Sequence, residues 1–542
     1  MTLSYAHGTS GTPLLGETIG ENLRKTTARF GDREALVVRQ QGYRATYEQL
    51  WDATTALARG LLALGIRAGD RVGLFSPNRY EWVVTQYATA RVGAILVNIN
   101  PAYKTHELAF VLRQSGTSLL FLAPGFKQTD YVAMLEAVGP ECPELQRGVV
   151  FGRDWDALLA EGTRVSDAEL AARETSLQFD DPINIQYTSG TTGFPKGATL
   201  SHHNVLNNGY FVAEAIRLTH EDRLCIPVPF YHCFGMVMGN LGCTTHGAAM
   251  IVPGEAFDPG LVLETVAAER CTALYGVPTM FIGELDHARR AELDLSSLRT
   301  GIMAGSPCPI EVMKRVVSSM HMREVTICYG MTETSPVSVQ SAVDDPLDKR
   351  VSTVGRVSPH VEVKIVDPET GATTARGVPG ELCTRGYSVM LGYWNNEEST
   401  RLAIDRAGWM HTGDLATMDD HGYVNIVGRI KDMIIRGGEN VYPREIEEFL
   451  HTHPSISEAQ VIGVPSSKYG EEIMAWVRLK PGATIDEADL VQFCRAQIAH
   501  YKVPRYWKTV TEFPMTVTGK VQKFRMREMA IAELVLEVVE TA

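Results

Sequence analysis

The run YTSGTTGFPKG at residues 187–197 is the part of the chain best suited to bind phosphate. Its hydroxyl groups, glycines and lysine belong to Tyr187, Thr188, Ser189, Gly190, Thr191, Thr192, Gly193, Lys196 and Gly197. Glycines let a backbone bend and approach a ligand closely, and a loop rich in N–H and hydroxyl donors can surround an anion. We therefore predict a polyphosphate-binding loop, against the alternative of a flexible surface loop.

This loop does not follow the pattern of the P-loop of nucleotide hydrolases. That pattern is G-x-x-x-x-G-K-[ST]. Counted from Gly190, the second glycine position is occupied by Pro195, and Gly197 stands where a hydroxyl residue would follow Lys196. The sequence also lacks the G-x-S-x-G and H-E-x-x-H motifs, so it carries neither a serine-hydrolase nor a metalloprotease signature.

Several further motifs follow the loop in chain order. They are YGMTETSP at 329–336, GELCTRGYSVMLGYW at 380–394, WMHTGDLA at 409–416, GRIKDMIIRGGENVYPREIE at 428–447 and PMTVTGKVQK at 514–523. The series resembles the adenylate-forming (AMP-binding) enzyme superfamily over nearly the whole chain. That superfamily includes acyl-CoA synthetases, aryl-CoA ligases, luciferases and peptide-synthetase adenylation domains. The stretch GGENVYPREIEEFLHTHP is most similar to medium-chain fatty acyl-CoA synthetases.

The resemblance implies an ATP-dependent acyl-CoA synthetase. A carboxylate would attack the α-phosphate of ATP to form an acyl-adenylate and pyrophosphate, and the thiol of CoA would then displace AMP. The implied cofactors are ATP, Mg²⁺ and coenzyme A as co-substrate. Such phosphoryl chemistry needs positioning and charge neutralisation more than a protein nucleophile.

Residues matching the family motifs receive expected roles from the resemblance. Thr332 contacts phosphate, Glu333 ligates magnesium, Asp414 binds the ribose, Arg429 reaches the ribose or phosphate, and Lys520 bridges the carboxylate and the α-phosphate. The adenine site would be walled by Gly305, Ser306, Pro307, Tyr329 and Gly330. The acyl channel would be lined by Phe230, His232, Gly235, Met236 and Gly239, with His232 as a gate and the glycines leaving space. The pantetheine tunnel would be lined by Gly437, Gly438 and Glu439.

Each of these positions also has a purely structural interpretation. Glu333 could be a solvated loop acid, Arg429 a boundary ion pair, and His232 a core histidine. Lys520 lies in a basic run and could face solvent, an interpretation that only the family match reverses.

Strand-like and helical segments alternate along most of the chain. Apolar stretches predict buried strands at 70–77, 93–101, 117–124, 223–230, 248–254, 271–278 and 298–305, separated by helical segments. This pattern indicates an α/β fold with sheets covered by helices. By resemblance, the large N-terminal domain has two α/β subdomains plus a small β subdomain.

A change in composition around residues 428–431 predicts a second domain. We expect residues 1–430 to form the domain for ATP, Mg²⁺ and acyl substrate, and residues 431–542 a small mobile α+β lid carrying the catalytic lysine. Pro443 would open a helix of this lid. The family match places the hinge at Lys431.

Composition limits the partners and the location. The net charge of −13 argues against nucleic acid as the main partner, and we expect a small-molecule carboxylic acid and CoA instead. The nine scattered cysteines predict reduced thiols and a cytoplasmic protein. The N-terminus does not read as a signal peptide, and no apolar run could span a bilayer. Peripheral membrane contact and a homodimer stay open.

Two alternative functions remain at this stage. The chain could transfer its acyl group to a carrier-protein phosphopantetheine or another acceptor, which turnover of free CoA would distinguish. It could also be a catalytically inactive ligand-binding relic, against which the intact motif residues argue.

Overall fold

The computed structural model describes residues 2–188, 195–306, 308–436, 439–466, 468–516, 520–534 and 536. The predicted α/β architecture is confirmed. Helices cover the sheets and run over Ile19–Phe30, Tyr47–Ala63, Tyr80–Val92, Thr105–Ser115, Tyr131–Val138, Trp155–Gly162, Asp167–Ser176, His202–Ala215, Gly242–His246, Pro259–Glu269, Pro278–Asp286, Ile310–Ser319, Leu347–Ser352, Glu397–Ala403, Pro443–His451, Glu487–Gln497 and Lys523–Leu534.

Two large, mainly parallel sheets form the first part of the chain. In spatial order, the seven-stranded sheet contains Gly392–Tyr393, Lys196–Ser201, Pro182–Thr188, Ile95–Ile99, Arg71–Phe75, Thr117–Leu122 and Arg147–Val150. The nine-stranded sheet contains Arg356–Val357, Val337–Gln340, Glu324–Gly330, Thr300–Met303, Ala273–Gly276, Arg223–Cys225, Ala249–Val252, Glu34–Val38 and Tyr43–Thr46. Ligands of such sheets bind beyond the carboxyl ends of the strands, and Thr188, Gly305 and Glu333 lie at or just beyond such strand ends.

The strand predicted over residues 223–230 is shorter than expected. It ends at Cys225, although the apolar run continues to Phe230. Pro227 and Pro229 lie in the lost part. Because proline has no N–H to donate to a neighbouring strand, it is excluded from the middle of a sheet.

A third sheet is entirely antiparallel and contains Tyr5–His7, Val361–Val366, Gly380–Gly386, Met410–Met418 and Val424–Arg429, in that order. It forms the small β subdomain that the sequence predicted. Its last hairpin pairs Asp414 with Arg429, so two predicted ligand-binding residues are set side by side by strand register.

The last part of the chain folds around its own sheet and cores. The sheet contains Glu439–Val441, Ile434–Arg436, Gly470–Leu479 and Ile456–Ser466, with Tyr506–Thr509 parallel to the third of these. Its two apolar clusters draw their described members from residue 434 onward. A helix begins at Pro443 as predicted. The connection from the third sheet is a single 3₁₀ turn at Ile430–Asp432.

Candidate active site

The phosphate loop connects two antiparallel strands of the seven-stranded sheet. Thr188 ends one strand and pairs with Lys196, which begins the next. The predicted contacts of Ser189, Gly190, Thr191, Thr192 and Gly193 lie outside the described residues. The described ends of the loop therefore fix where it leaves the sheet, beside Glu333.

Glu333 is buried at the base of this loop, with 5% of its surface exposed. Its Oε1 accepts hydrogen bonds from the hydroxyls of Thr188 at 3.3 Å and Tyr393 at 2.9 Å. Burial raises the pKa of the Tyr393 hydroxyl, and the negative charge of Glu333 raises it further. The Nζ atom of Lys196 lies 5.2 Å from the centre of the Tyr393 ring. Glu333 is therefore not the solvated loop acid of the alternative interpretation.

Tyr393 belongs to the motif series, but its role could not be inferred from the sequence. It reaches Glu333 because Gly392–Tyr393 forms a short strand against Ala198 and Thr199, just after the phosphate loop. A pairing between segments almost two hundred positions apart leaves no local signal in the sequence.

The turn that carries Glu333 is exceptionally tight. Thr332 lies half-buried in a 3₁₀ turn at Thr332–Thr334, and Met331 N donates to the carbonyl of Pro336 at 3.0 Å. A Cβ atom added at Gly330 would lie 1.7 Å from this same Pro336 oxygen. Only glycine fits at residue 330 without movement of the backbone.

We expect Gly330→Ala to lower the free energy of unfolding by about 1–3 kcal/mol, as overpacking does, and to raise the KM for ATP. The added methyl group must push Pro336 away, which moves the turn under Glu333. Denaturant unfolding and ATP titration measure the two effects. Gly11→Ala is the control, since a Cβ there meets nothing within 4 Å. Equal behaviour of the two variants would contradict this assignment.

Asp414 is held between two partners on neighbouring elements. It accepts a hydrogen bond from the Tyr329 hydroxyl at 2.7 Å, and its Oδ1 lies 3.2 Å from Nε of Arg429. Burial raises the pKa of Asp414, while Arg429, Tyr329 and Lys520 oppose the rise. Arg429 therefore forms the ion pair of the structural interpretation, and its side chain is nevertheless 65% exposed to solvent.

Lys520 comes from the small domain but lies in the field of these large-domain residues. Desolvation by the surrounding protein lowers its pKa, Arg429 lowers it further, and Asp414 and Glu333 raise it. The residue nevertheless remains exposed to solvent. Its backbone N–H donates to Thr516 Oγ1 at 3.0 Å, and its carbonyl accepts from Thr516 N at 2.7 Å. Thr516 and Lys520 are thus tied together by two hydrogen bonds, and the Lys520 side chain lies within range of the charges of Asp414 and Glu333.

His232 lies within range of the Lys520 charge. Desolvation, together with the positive charge of Lys520, lowers its pKa to about 3, so the ring is neutral at neutral pH. The residue is only half-buried, unlike the fully buried core histidine of the alternative interpretation. Lys520 of the small domain therefore lies within range of the charges of Glu333, Asp414 and Arg429 of the large domain, and His232 lies within range of Lys520; we refer to this region as the interdomain cleft.

The segment predicted to line the acyl channel forms a π-helix at Phe234–Leu241. Such helices are rare and often occur at functional sites. Phe230 and Met236 are buried, and Met236 Sδ accepts hydrogen bonds from Asn98 and Gln186, both at 3.0 Å.

The two glycines of this segment serve close packing. A Cβ at Gly235 would lie 2.4 Å from the Pro229 carbonyl oxygen, and one at Gly239 would lie 3.1 Å from Ile226. The space that their missing side chains leave is therefore filled by protein, contrary to the expectation that it is left for an acyl chain.

Four of the remaining predicted residues are described by the structure, and three are not. Gly305 has φ +90° just beyond the strand Thr300–Met303, and Ser306 is half-buried beside it. Glu439 and Lys431 are exposed. Pro307, Gly437 and Gly438 lie outside the described residues. The small domain contacts the large one through Arg444, whose Nη1 donates to the Ile426 carbonyl at 2.6 Å.

Comparisons with known proteins agree with this architecture. The AMP-binding enzyme model matches residues 23–394, and the AMP-binding enzyme C-terminal domain model matches residues 445–520. A structure of the anthranilate CoA ligase AuaEII in complex with anthranoyl-AMP superposes with a TM-score of 0.86 at 27% identity, covering 97% of this chain and 99% of that one.

Two relatives are similar over almost the full length. YngI of Bacillus subtilis (strain 168), an acyl-CoA synthetase by name, is 48% identical over 96% of this chain and 98% of its own. The mitochondrial medium-chain acyl-CoA ligase ACSF2 of Danio rerio is 44% identical over 98% of this chain and 92% of its own length. These relatives confirm the prediction of an AMP-forming acid–CoA ligase acting through an acyl-adenylate. The chain belongs to the AMP-binding enzyme family.

Proposed function

We propose that this ligase activates medium-chain fatty acids, with residues 1–430 binding ATP, Mg²⁺ and the acid and residues 431–542 acting as a moving lid. The mechanism is supported by Lys520 of the small domain, which lies within range of the charges of Glu333, Asp414 and Arg429 of the large one. The name of the ACSF2 relative supports the chain length.

The ligand roles follow from the chemistry of each group. Asp414 can accept two hydrogen bonds from a ribose diol while Arg429 and Tyr329 hold its carboxylate in place. Lys520 would neutralise charge that builds up between the attacking carboxylate and the α-phosphate, a contact worth most in a water-excluded site. Neutral His232 adds no charge on the acyl side.

The Glu333 carboxylate fits a magnesium ion. Both hydrogen bonds described for it go to Oε1, so the carboxylate is oriented through one oxygen and can offer the other. Mg²⁺ prefers one or two carboxylates together with phosphate oxygens. When bound, the ion would offset phosphate charge. The negative charges of Glu333 and Asp414 already balance the positive charges of Arg429 and Lys520. A bound polyphosphate therefore adds negative charge that these residues do not offset, which favours an added cation.

Glu333→Gln should raise the Mg²⁺ concentration needed for half-maximal adenylation by at least about tenfold. The substitution keeps the size of the side chain but removes the charge that attracts the ion. Pyrophosphate exchange measured across a Mg²⁺ titration tests this. Tyr393→Phe is the control, because it removes one hydrogen bond to Glu333 but leaves the carboxylate charge in place. The lost hydrogen bond should lower the free energy of unfolding by about 1 kcal/mol. An unchanged Mg²⁺ dependence in Glu333→Gln would remove its assigned role.

The chain-length proposal needs a substrate screen. AMP release should be greatest with medium straight-chain acids and should require free CoA for full turnover. Preference for short-chain or aromatic acids would overturn the substrate assignment. AMP release that depends on a phosphopantetheinylated carrier protein but not on CoA would favour the alternative acceptor.

The cytoplasmic location and the homodimer also remain proposals. The described cysteines are all free and buried, which supports a reducing compartment, while the ACSF2 relatives are named mitochondrial. Within the described residues, no helix combines the length and apolar character needed to cross a membrane.

A further inference from the structure

Glu381, Cys383 and His411 converge on the antiparallel sheet, outside the set of ligand-binding residues described above. Cys383 and His411 are paired across neighbouring strands. His411 Nδ1 lies 2.8 Å from Glu381 Oε2 and 3.5 Å from Cys383 Sγ, and all three ligand atoms lie within 4.8 Å of one another. Carboxylate oxygen, thiolate sulfur and imidazole nitrogen are the three donor types that Zn²⁺ uses.

The distances are close to those of a tetrahedral metal site. With the usual zinc bond lengths, nitrogen and sulfur ligands stand about 3.6 Å apart, and nitrogen and oxygen ligands about 3.4 Å apart. The observed nitrogen–sulfur distance of 3.5 Å already matches. The nitrogen–oxygen distance of 2.8 Å is that of a hydrogen bond, and it must open by about half an ångström to admit an ion.

A second carboxylate lies near the other ring nitrogen of the histidine, beyond hydrogen-bond distance in the ion-free chain. His411 Nε2 lies 3.8 Å from Asp405 Oδ2, and Asp405 Oδ1 accepts hydrogen bonds from the backbone N–H groups of Ala407 and Trp409 at 2.8 and 2.9 Å. A metal-binding histidine usually donates its other ring N–H to a carboxylate, and Asp405 would have to approach by several tenths of an ångström to accept it. The side chains of Glu381 and His411 are 13% and 33% exposed, so an ion can approach from their side, while Cys383 is buried.

The cluster is connected directly to Asp414. The register between the two strands shifts between Glu381 and Cys383, which marks a bulge. Glu381 Oε1 accepts the N–H of Gly413 at 3.0 Å within that bulge, and Gly413 has φ +70°. The Glu381 carboxylate therefore holds both His411 and the backbone that aims Asp414.

We propose that Glu381, Cys383 and His411 bind one divalent ion of the Zn²⁺ class, and that its binding shifts the Asp414 bulge and weakens ATP binding. The second half rests on the proposed function of Asp414. An ordinary histidine–carboxylate ion pair would explain two of the three residues but gives no reason for a thiol against the same ring nitrogen.

Co²⁺ titration of the full, nucleotide-free chain tests the site. Thiolate-bound Co²⁺ gives a strong near-ultraviolet charge-transfer absorption, which we expect to saturate at one equivalent. Cys383→Ala should abolish the band. His411→Gln should weaken Co²⁺ binding by more than the roughly 10–100-fold that loss of an outer partner costs. No band in the parent chain, or an unchanged band in both variants, would overturn the proposal.

Two matched variants control for the loss of a thiol or of a histidine. Cys494→Ala removes a buried thiol from the small domain. His246→Gln removes another histidine–glutamate pair, in which Nε2 lies 2.9 Å from Glu214 Oε1. Both should keep the Co²⁺ band. Its loss in either control would show that the band arises elsewhere and would overturn the proposal.

The link to ATP is tested with micromolar Zn²⁺ in excess Mg²⁺. The KM for ATP should rise several-fold in the parent chain, and Cys383→Ala should show no such rise relative to its own zinc-free value. An equal rise in both would overturn the coupling. Absence of all adenylation with an intact Co²⁺ band would instead contradict the proposed function and leave the metal site standing.

Discussion

Replacing Lys520 with alanine is expected to slow acyl-adenylate formation by ~10²–10⁴-fold, the range of one lost transition-state charge contact. The ammonium group lies within range of the charges of Asp414 and Glu333. In the proposed mechanism, Lys520 is the described residue of the small domain that brings a positive charge to the α-phosphate. Conversion of supplied acyl-AMP and CoA should stay nearly intact, because that half-reaction needs no new contact with the α-phosphate. Rapid-quench measurement of the two half-reactions gives both rates.

Lys523→Ala is the matched control for Lys520. Lys523 lies in the same basic run, but its Nζ is 2.6 Å from Glu447 Oε1 within the small domain. Its loss should leave adenylation within a few-fold of the parent rate. An equal loss in both half-reactions for Lys520→Ala, with folding intact, would contradict the assignment of this lysine to adenylation.

Lys431→Pro is expected to preserve pyrophosphate exchange and to reduce acyl-CoA formation by at least about a hundredfold. Adenylation needs Lys520 in the cleft, whereas thioester formation needs that face withdrawn, so the small domain must turn about a few backbone torsions. The described connection is the 3₁₀ turn at Ile430–Asp432. Proline fixes φ at about −65°, which a 3₁₀ turn already uses, so the substitution should hold the state seen here.

Lys431→Ala separates loss of the side chain from loss of backbone freedom. It should support both half-reactions, since alanine keeps φ free. Thermal unfolding of both variants shows whether the large domain remains folded. Full thioester formation by Lys431→Pro would show that residue 431 is not the pivot.

The sequence predicted those features that depend on local patterns. Apolar runs located the buried strands, and Pro443 marked the start of a helix. The motif series identified Glu333, Asp414, Arg429 and Lys520 without showing that they meet. The strand ending at Cys225 is shorter than its apolar pattern predicts, because Pro227 and Pro229 interrupt the backbone hydrogen bonding that the pattern does not register.

Features that depend on pairing between distant segments could not be read in advance. Tyr393 reaches Glu333 through a two-residue strand. Glu381 reaches Gly413 through a bulge whose register is set by the whole sheet. The π-helix at Phe234–Leu241 depends on packing of its glycines against Pro229 and Ile226, and helical periodicity gives no signal for it.

We propose above all that the interdomain cleft joins a medium-chain carboxylate to AMP before any thiol is needed. The most direct measurement is ATP–pyrophosphate exchange by the full chain with Mg²⁺ and no CoA, compared with and without straight-chain acids. We predict exchange that depends on the acid and is strongest with medium chains. Failure of every straight-chain acid to support exchange, in a preparation shown to be folded, would contradict the account.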